Sequence, residues 1–350
     1  MNQYCVYSIN YPGIFSLKPN IWFKFSNKIG SFAFFVNEPR KGLVINDPNN
    51  SIVWDKKESK LKKRIEKIEK DNLILEPVFK SGNTGFLSII ERDFESGRSF
   101  FEKGSTRLIL LIEESWDIDN SAKIKECLNF IFVIYNSNII NSVILPIDGH
   151  YLNESIIIFE SKLEFDMDFD ELIESRPELN LTFVAKETRF AMSKYGITLS
   201  EVPKIEKSDG LNQISEEYFD VFELYSLGLV QLNYFGNYKL ALLECFVAVE
   251  MLVTRITDKV KKSRGISNRK INDNKKSVDL SYKMDIELKL FFKFNKIEES
   301  LLGQMTRARS LRNNVMHENT SVDEKEVRDL IVHINKFIFM LVKKETISQK

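Results

Sequence analysis

Arg312, Asn313 and His317 stand close together in the stretch LRNNVMHEN, Leu311 to Asn319, and His317 is one of only three histidines in the chain. Their types define a chemistry. Arginine presents a fixed fork of donors that matches phosphate oxygens and stays charged at any working pH. Histidine, titrating near ~6.5 when unperturbed, accepts and donates protons around neutrality. Scission of RNA without a metal needs a proton taken from a 2′-hydroxyl and a proton given to the leaving 5′-oxygen. It also needs a cation facing the charge that builds on phosphorus. Asn313 can orient either group or bind a phosphate oxygen. The plainer reading is that Arg312 snorkels at the edge of an apolar stripe, while His317 complements the dipole at a helix end. An Rx4H pattern is short enough to recur by chance, so its surroundings decide.

Those surroundings read as helix. Leu301, Met305, Ala308, Leu311 and Val315 recur at steps of three and four, one buried face of a helix spanning Glu298 to Met316. Arg312 lies one position off that stripe. His317 lies at or beyond the last turn, because Ser321 and Glu324 form an S-x-x-E capping box that restarts the chain. In a straight helix five residues turn the chain by ~500°, so the two side chains diverge by ~140°. They meet only if the helix unwinds at His317 or if two copies of the motif face each other across a dimer. Tyr218–Tyr234, Tyr238–Asp258, Tyr282–Phe294 and Val322–Lys343 have the same period, which predicts a five-helix bundle.

The first two hundred residues have a different texture. IWFKF (Ile21–Phe25), SFAFFV (Ser31–Val36), RLILLIEE, SVILPI and SIIIFESKLEF are β-like runs bounded by turn residues. Helices are expected at Ala122–Tyr135 and Phe169–Ser175. The apolar pattern lapses at EVPKIEKSDGLNQ (Glu201–Gln213). The expectation is therefore an α+β two-domain chain: a mostly-β domain over 1–205, then an all-α bundle over 210–350.

Composition narrows the classes. Lys+Arg and Asp+Glu are both 50 in 350 residues, which excludes a globally basic nucleic-acid binder but not a local basic patch. Residues 56–70 carry eight basic and three acidic side chains, and residues 255–276 carry nine basic and two acidic. The second run, including Lys261, Lys262 and Arg264, joins two predicted helices and reads as a solvated or mobile loop able to hold a phosphate backbone. Cys5, Cys127 and Cys245 are widely spaced, which supports neither a disulfide framework nor a zinc site and suits a reducing cytoplasm. No signal-peptide layout and no membrane-length apolar run is visible. Asp166, Asp168 and Asp170 lack the glycine and terminal glutamate of a calcium loop. Val184 stands where a D…E-x-K metal nuclease would need a carboxylate before Lys186. His150 reads as a turn residue and His333 has no catalytic group at helical spacing. Metal and cofactor are not expected.

The RNNVMH motif near the end of the penultimate helix resembles that of the HEPN superfamily (higher eukaryotes and prokaryotes nucleotide-binding). KLALLECFVAVEMLVTRI is similar to the family's long second helix, with Ala248, Glu250 and Leu252 in its A-x-E-x-L core. SLRNNVMHENTSVDEKEVRDLIVHINKFI resembles the abortive-infection, Apea-like branch. The resemblance spans roughly 210–350. It implies a metal-independent endoribonuclease leaving 2′,3′-cyclic phosphates, with two bundles dimerising to join two motifs in one cleft. Arg312 would then stabilise phosphate, His317 act as general acid or base, Asn313 serve beside the arginine and Glu250 support from the second helix. Arg307 and Arg309 would reach RNA or sit on plain surface. It further implies RNA, tRNA included, as substrate, and prokaryotic antiviral defence or toxin-like growth arrest as role, with a phage or host trigger read by the N-terminal domain. Two other readings stay open: a non-catalytic binding or dimerisation bundle, and an adaptor whose β-domain binds a partner protein.

Overall fold

The computed structural model describes residues 2–12, 15–18, 21–36, 43–45, 53–55, 105–113, 121–140, 143–144, 154–165, 168–175, 184–192, 211–212, 214–275, 279–318 and 321–348. The basic run 56–70, His150, Asp166 and residues 201–210 lie outside them. The chain divides into two compact units, Met1–Tyr135 with Ile144–Asn212, and Asn136–Val143 with Gln213–Lys350. An α+β chain is thus observed, with a β-sheet in the first unit and helices making up most of the second. No helix among the described residues is long and apolar enough to cross a membrane.

The first unit is built on six antiparallel strands in the order β2-β3-β6-β1-β7-β8. They are β1 (Asn2–Pro12), β2 (Phe23–Asn27), β3 (Gly30–Val36), β6 (Ser105–Glu113), β7 (Glu154–Phe165) and β8 (Val184–Met192). A separate pair is formed by β4 (Leu43–Ile45) and β5 (Val53–Asp55). Helices α1 (Ser121–Asn138) and α2 (Phe169–Ser175) explain why the inner strands read as unbroken apolar runs. On one face Tyr4, Val6, Ala33, Phe35, Ile109 and Leu111 pack with Phe169, Leu172 and Ile173 of α2. On the other, Phe25 and Phe32 meet Phe130 of α1 edge-on, with ring centroids 5.3 and 5.6 Å apart. A sheet covered on both sides loses the apolar–polar alternation of a half-exposed one. Val143 and Ile144, the described residues of SVILPI, are buried but belong to no strand.

In the second unit a 3₁₀ turn, Glu216–Tyr218, leads into α3 (Phe219–Asn233) and α4 (Tyr238–Ser263). Gly228 lets these two pack closely. A Cβ built there would lie 2.5 Å from Cys245 Sγ, 3.1 Å from the Cys245 backbone nitrogen and 3.2 Å from the Ala241 carbonyl oxygen. Next come α5 (Asn268–Lys275) and α6, a continuous run of Leu280–Tyr282, the π-helical turn Lys283–Glu287 and Leu288–Phe291. The last two helices are α7 (Lys296–Glu318) and α8 (Glu324–Ser348).

Two expectations are corrected. Residues 255–275 of the basic run are not a mobile loop: Arg255–Ser263 is the end of α4, closed by Gly265 at φ +82°, and α5 follows at once. The cap of α8 is Asp323, whose Oδ1 accepts from Glu326 N at 2.9 Å, rather than Ser321. D-x-x-E fits two residues after S-x-x-E, and an ionised aspartate is the stronger acceptor at the positive end of a helix.

Candidate active site

Two helices bring the candidate groups together. Helix α4 begins at Asn237, whose side chain accepts from Leu240 N at 3.2 Å, and buries Ala241, Leu242, Cys245, Val249, Leu252 and Ile256. That stripe leaves Glu250 on the rim. Helix α7 is fixed at its start by a reciprocal capping box. Asn295 Oδ1 accepts from Ile297 N and Glu298 N at 3.0 and 3.1 Å, and Glu298 Oε2 accepts from Asn295 N at 2.7 Å. Burial of Leu302, Met305, Ala308 and Val315 then sets its rotation, and Arg312 emerges toward Glu250.

The contact is loose. Arg312 Nη2 lies 3.5 Å from Glu250 Oε2, and Arg312 Nη1 donates to Asn313 Oδ1 at 3.0 Å. Arg312 Nε is buried without a hydrogen-bond partner. The side chains of Arg312 and Glu250 keep 23% and 30% of their exposure, so water or a ligand can reach both. His317 lies in the last turn of the same helix and is exposed, as is Met316 before it. Because α7 is continuous to Glu318, unwinding at His317 is not the route that joins the two groups. The divergence expected of a regular helix stands.

Glu250 also lines a cleft of about 650 Å³ that follows one face of α4 from Val247 to Lys262. Its floor at Val247 and Met251 is apolar, and its far end is charged. There Arg255 makes a bidentate pair with Asp220, at 2.7 and 2.6 Å, and also donates to the Glu217 carbonyl. That hydrogen bonding holds the Asp220 carboxyl below the usual carboxylate range. Lys259 bridges Glu217 and Glu345 at 2.6 and 2.7 Å. These ion pairs were not anticipated from the sequence, where the cations read as a free run. The signal was there, in acidic partners at Glu217 and Asp220 one helix earlier.

The remaining predicted contacts scatter. Lys261 is buried and pairs with Glu287 at 2.6 Å, so its ammonium points into the bundle and not at RNA. The wider π turn aims both Lys283 and Glu287 inward at α4, where Lys283 Nζ donates to Thr254 Oγ1 at 3.3 Å. Lys262 is exposed at the cleft. Arg264 is exposed and lies 4.7 Å from the Phe291 ring centroid. Arg307 is tied to Glu326 of α8, and Arg309 to Asp279 at 3.4 Å. His333 is bound within α8 to the Asp329 carbonyl, its Nδ1 2.7 Å away. Asp168 Oδ1 accepts from Glu171 N at 2.8 Å, at the start of α2, and Asp170 pairs with Lys24. The three cysteines are buried.

Chemically, one chain offers a guanidinium fork at Arg312 and, some 140° around the helix on the ~100° per residue of an α-helix, a solvent-facing imidazole. Comparison with protein-family models, with curated proteins and with solved structures gave no match.

Proposed function

We propose that this chain is a metal-independent endoribonuclease whose site is completed by a second copy. The observation that carries the reading is Arg312 itself, a guanidinium with one long ion pair and a buried Nε lacking an acceptor, one turn and a half before an exposed histidine. A structural arginine closes its fork, as Arg255 does on Asp220. The RNNVMH motif, its place on the penultimate helix and the long helix bearing Glu250 support a HEPN-like bundle. Antiviral defence or toxin-like growth arrest is the role that resemblance suggests.

In the proposed reaction His317 of one copy takes the proton of a 2′-hydroxyl, and that oxygen attacks the adjacent phosphorus. The phosphorus–5′-oxygen bond breaks as the second copy's imidazolium protonates the leaving oxygen. Arg312 faces the non-bridging oxygens throughout. The products are a 2′,3′-cyclic phosphate and a free 5′-hydroxyl, so atoms and protons balance without water. The test is cleavage of total RNA and tRNA in excess EDTA, with wild type against His317→Ala. The expected result is cyclic-phosphate ends from wild type only, at a rate at least ~100-fold above the variant. Equal cleavage by both would remove His317 from the mechanism.

A further inference from the structure

We infer that Glu250 is a displaceable clasp, a carboxylate that holds Arg312 before RNA binds and yields it to the scissile phosphate. The inference rests on the ribonuclease reading above and concerns the regulation of that same site. Helix α4 takes part in two arginine–carboxylate pairs, and the contrast between them carries the argument. Arg255 meets Asp220 through both terminal guanidinium nitrogens, Nη1 and Nη2, at 2.7 and 2.6 Å, the fork-to-fork geometry of a permanent tie between α3 and α4. Glu250 meets Arg312 through one oxygen at 3.5 Å, beyond the ~2.7–2.9 Å of a charge-assisted hydrogen bond. That contact leaves Arg312 Nε buried with no acceptor. Glu250 therefore neutralises the guanidinium without satisfying it.

A phosphodiester does what Glu250 does not. Its two non-bridging oxygens match the Nε and Nη2 edge of the fork, taking up the donor left over. The carboxylate and the phosphate repel each other, so the arrival of one favours departure of the other. Glu250 has somewhere to go, since it lines the cleft along α4, whose open volume is about 650 Å³. The cleft borders the Glu250 side of the pair. Each binding event must then break the Arg312–Glu250 contact, which sets a threshold against weakly held RNA.

The test is a double-mutant cycle on the full chain, using wild type, Glu250→Gln, Arg312→Ala and the double variant. Binding is read by fluorescence anisotropy with a 2′-O-methyl RNA oligomer, which is not cut, and steady-state cleavage is measured in parallel. Glu250→Gln keeps the shape and loses the charge. It is expected to bind about two- to fivefold more tightly, the span of a partly exposed ion pair. KM should fall by the same factor with kcat unchanged, and the gain should vanish when Arg312 is alanine. Weaker or unchanged binding by Glu250→Gln overturns the clasp, and so does a gain that persists without Arg312. A loss in kcat alone would make Glu250 a positioning residue and also overturns it. If the cycle shows the coupled gain but no protein cuts RNA, the clasp stands and the ribonuclease reading fails.

Discussion

At position 312 the side chain and its unfinished bonding matter more than its charge. A lysine there would keep a cation but lose the planar fork and its Nε donor. The residue scale also separates two neighbours that look alike in sequence. Lys261 is locked on Glu287, with side chains 7% and 9% exposed, while Lys262 faces the cleft. Lys261→Met should therefore leave a buried carboxylate without its counter-charge and cost about 3–5 kcal/mol, whereas Lys262→Met should stay within about 0.5 kcal/mol. Denaturant unfolding of the two variants measures the difference, and equal midpoints would place Lys261 in solvent. The run KVKK gave no hint of which lysine turns inward. That depends on Glu287, far along the chain and aimed at α4 by a π turn, a feature no periodicity of 3.6 anticipates.

At the scale of elements, the close approach of α3 and α4 fixes where Glu250 sits. Gly228→Ala puts a methyl group against Cys245 Sγ and two backbone atoms of α4. Backbone cannot step aside as a side-chain tip can, so the helices must separate, at a cost of about 1–3 kcal/mol. A fall in thermal midpoint of roughly 2 °C or more checks this, on the usual scaling for a unit of this size. An unchanged midpoint would mean the helices are not held this tightly. The helices were legible because each buries one stripe: Val327, Leu330, Ile331, Ile334, Phe337, Ile338 and Leu341 of α8 are all buried. Strand β1 was not read, although it pairs with both β6 and β7 in the middle of the sheet. Its Asn2, Gln3, Ser8 and Asn10 interrupt an apolar run, and only the covering of both faces explains why Tyr4, Cys5, Val6, Tyr7 and Ile9 are all fully buried.

At the scale of the whole molecule, the continuity of α7 is the constraint. Arg312 and His317 are fixed to one rigid helix on different sides, so the proposed chemistry belongs to an assembly and not to a chain. Sequence spacing offered unwinding at His317 or a second copy; the helix is unbroken there, and the proposal takes the second copy. The candidate residues stood out because arginine, asparagine and histidine are conspicuous on an amphipathic helix. The resemblance pointed to Glu250 as a supporting residue, but not to its pairing with Arg312, 62 positions further along the chain. The most direct test of a shared site is to add His317→Ala in increasing excess to a fixed amount of wild type, under conditions that let subunits exchange. The account predicts that cleavage in EDTA falls as the variant is added, because a mixed dimer holds one histidine where the reaction uses two. Exchange, shown by differently tagged copies in one complex, with cleavage that stays at the level set by the wild-type chains would contradict a site built from two chains.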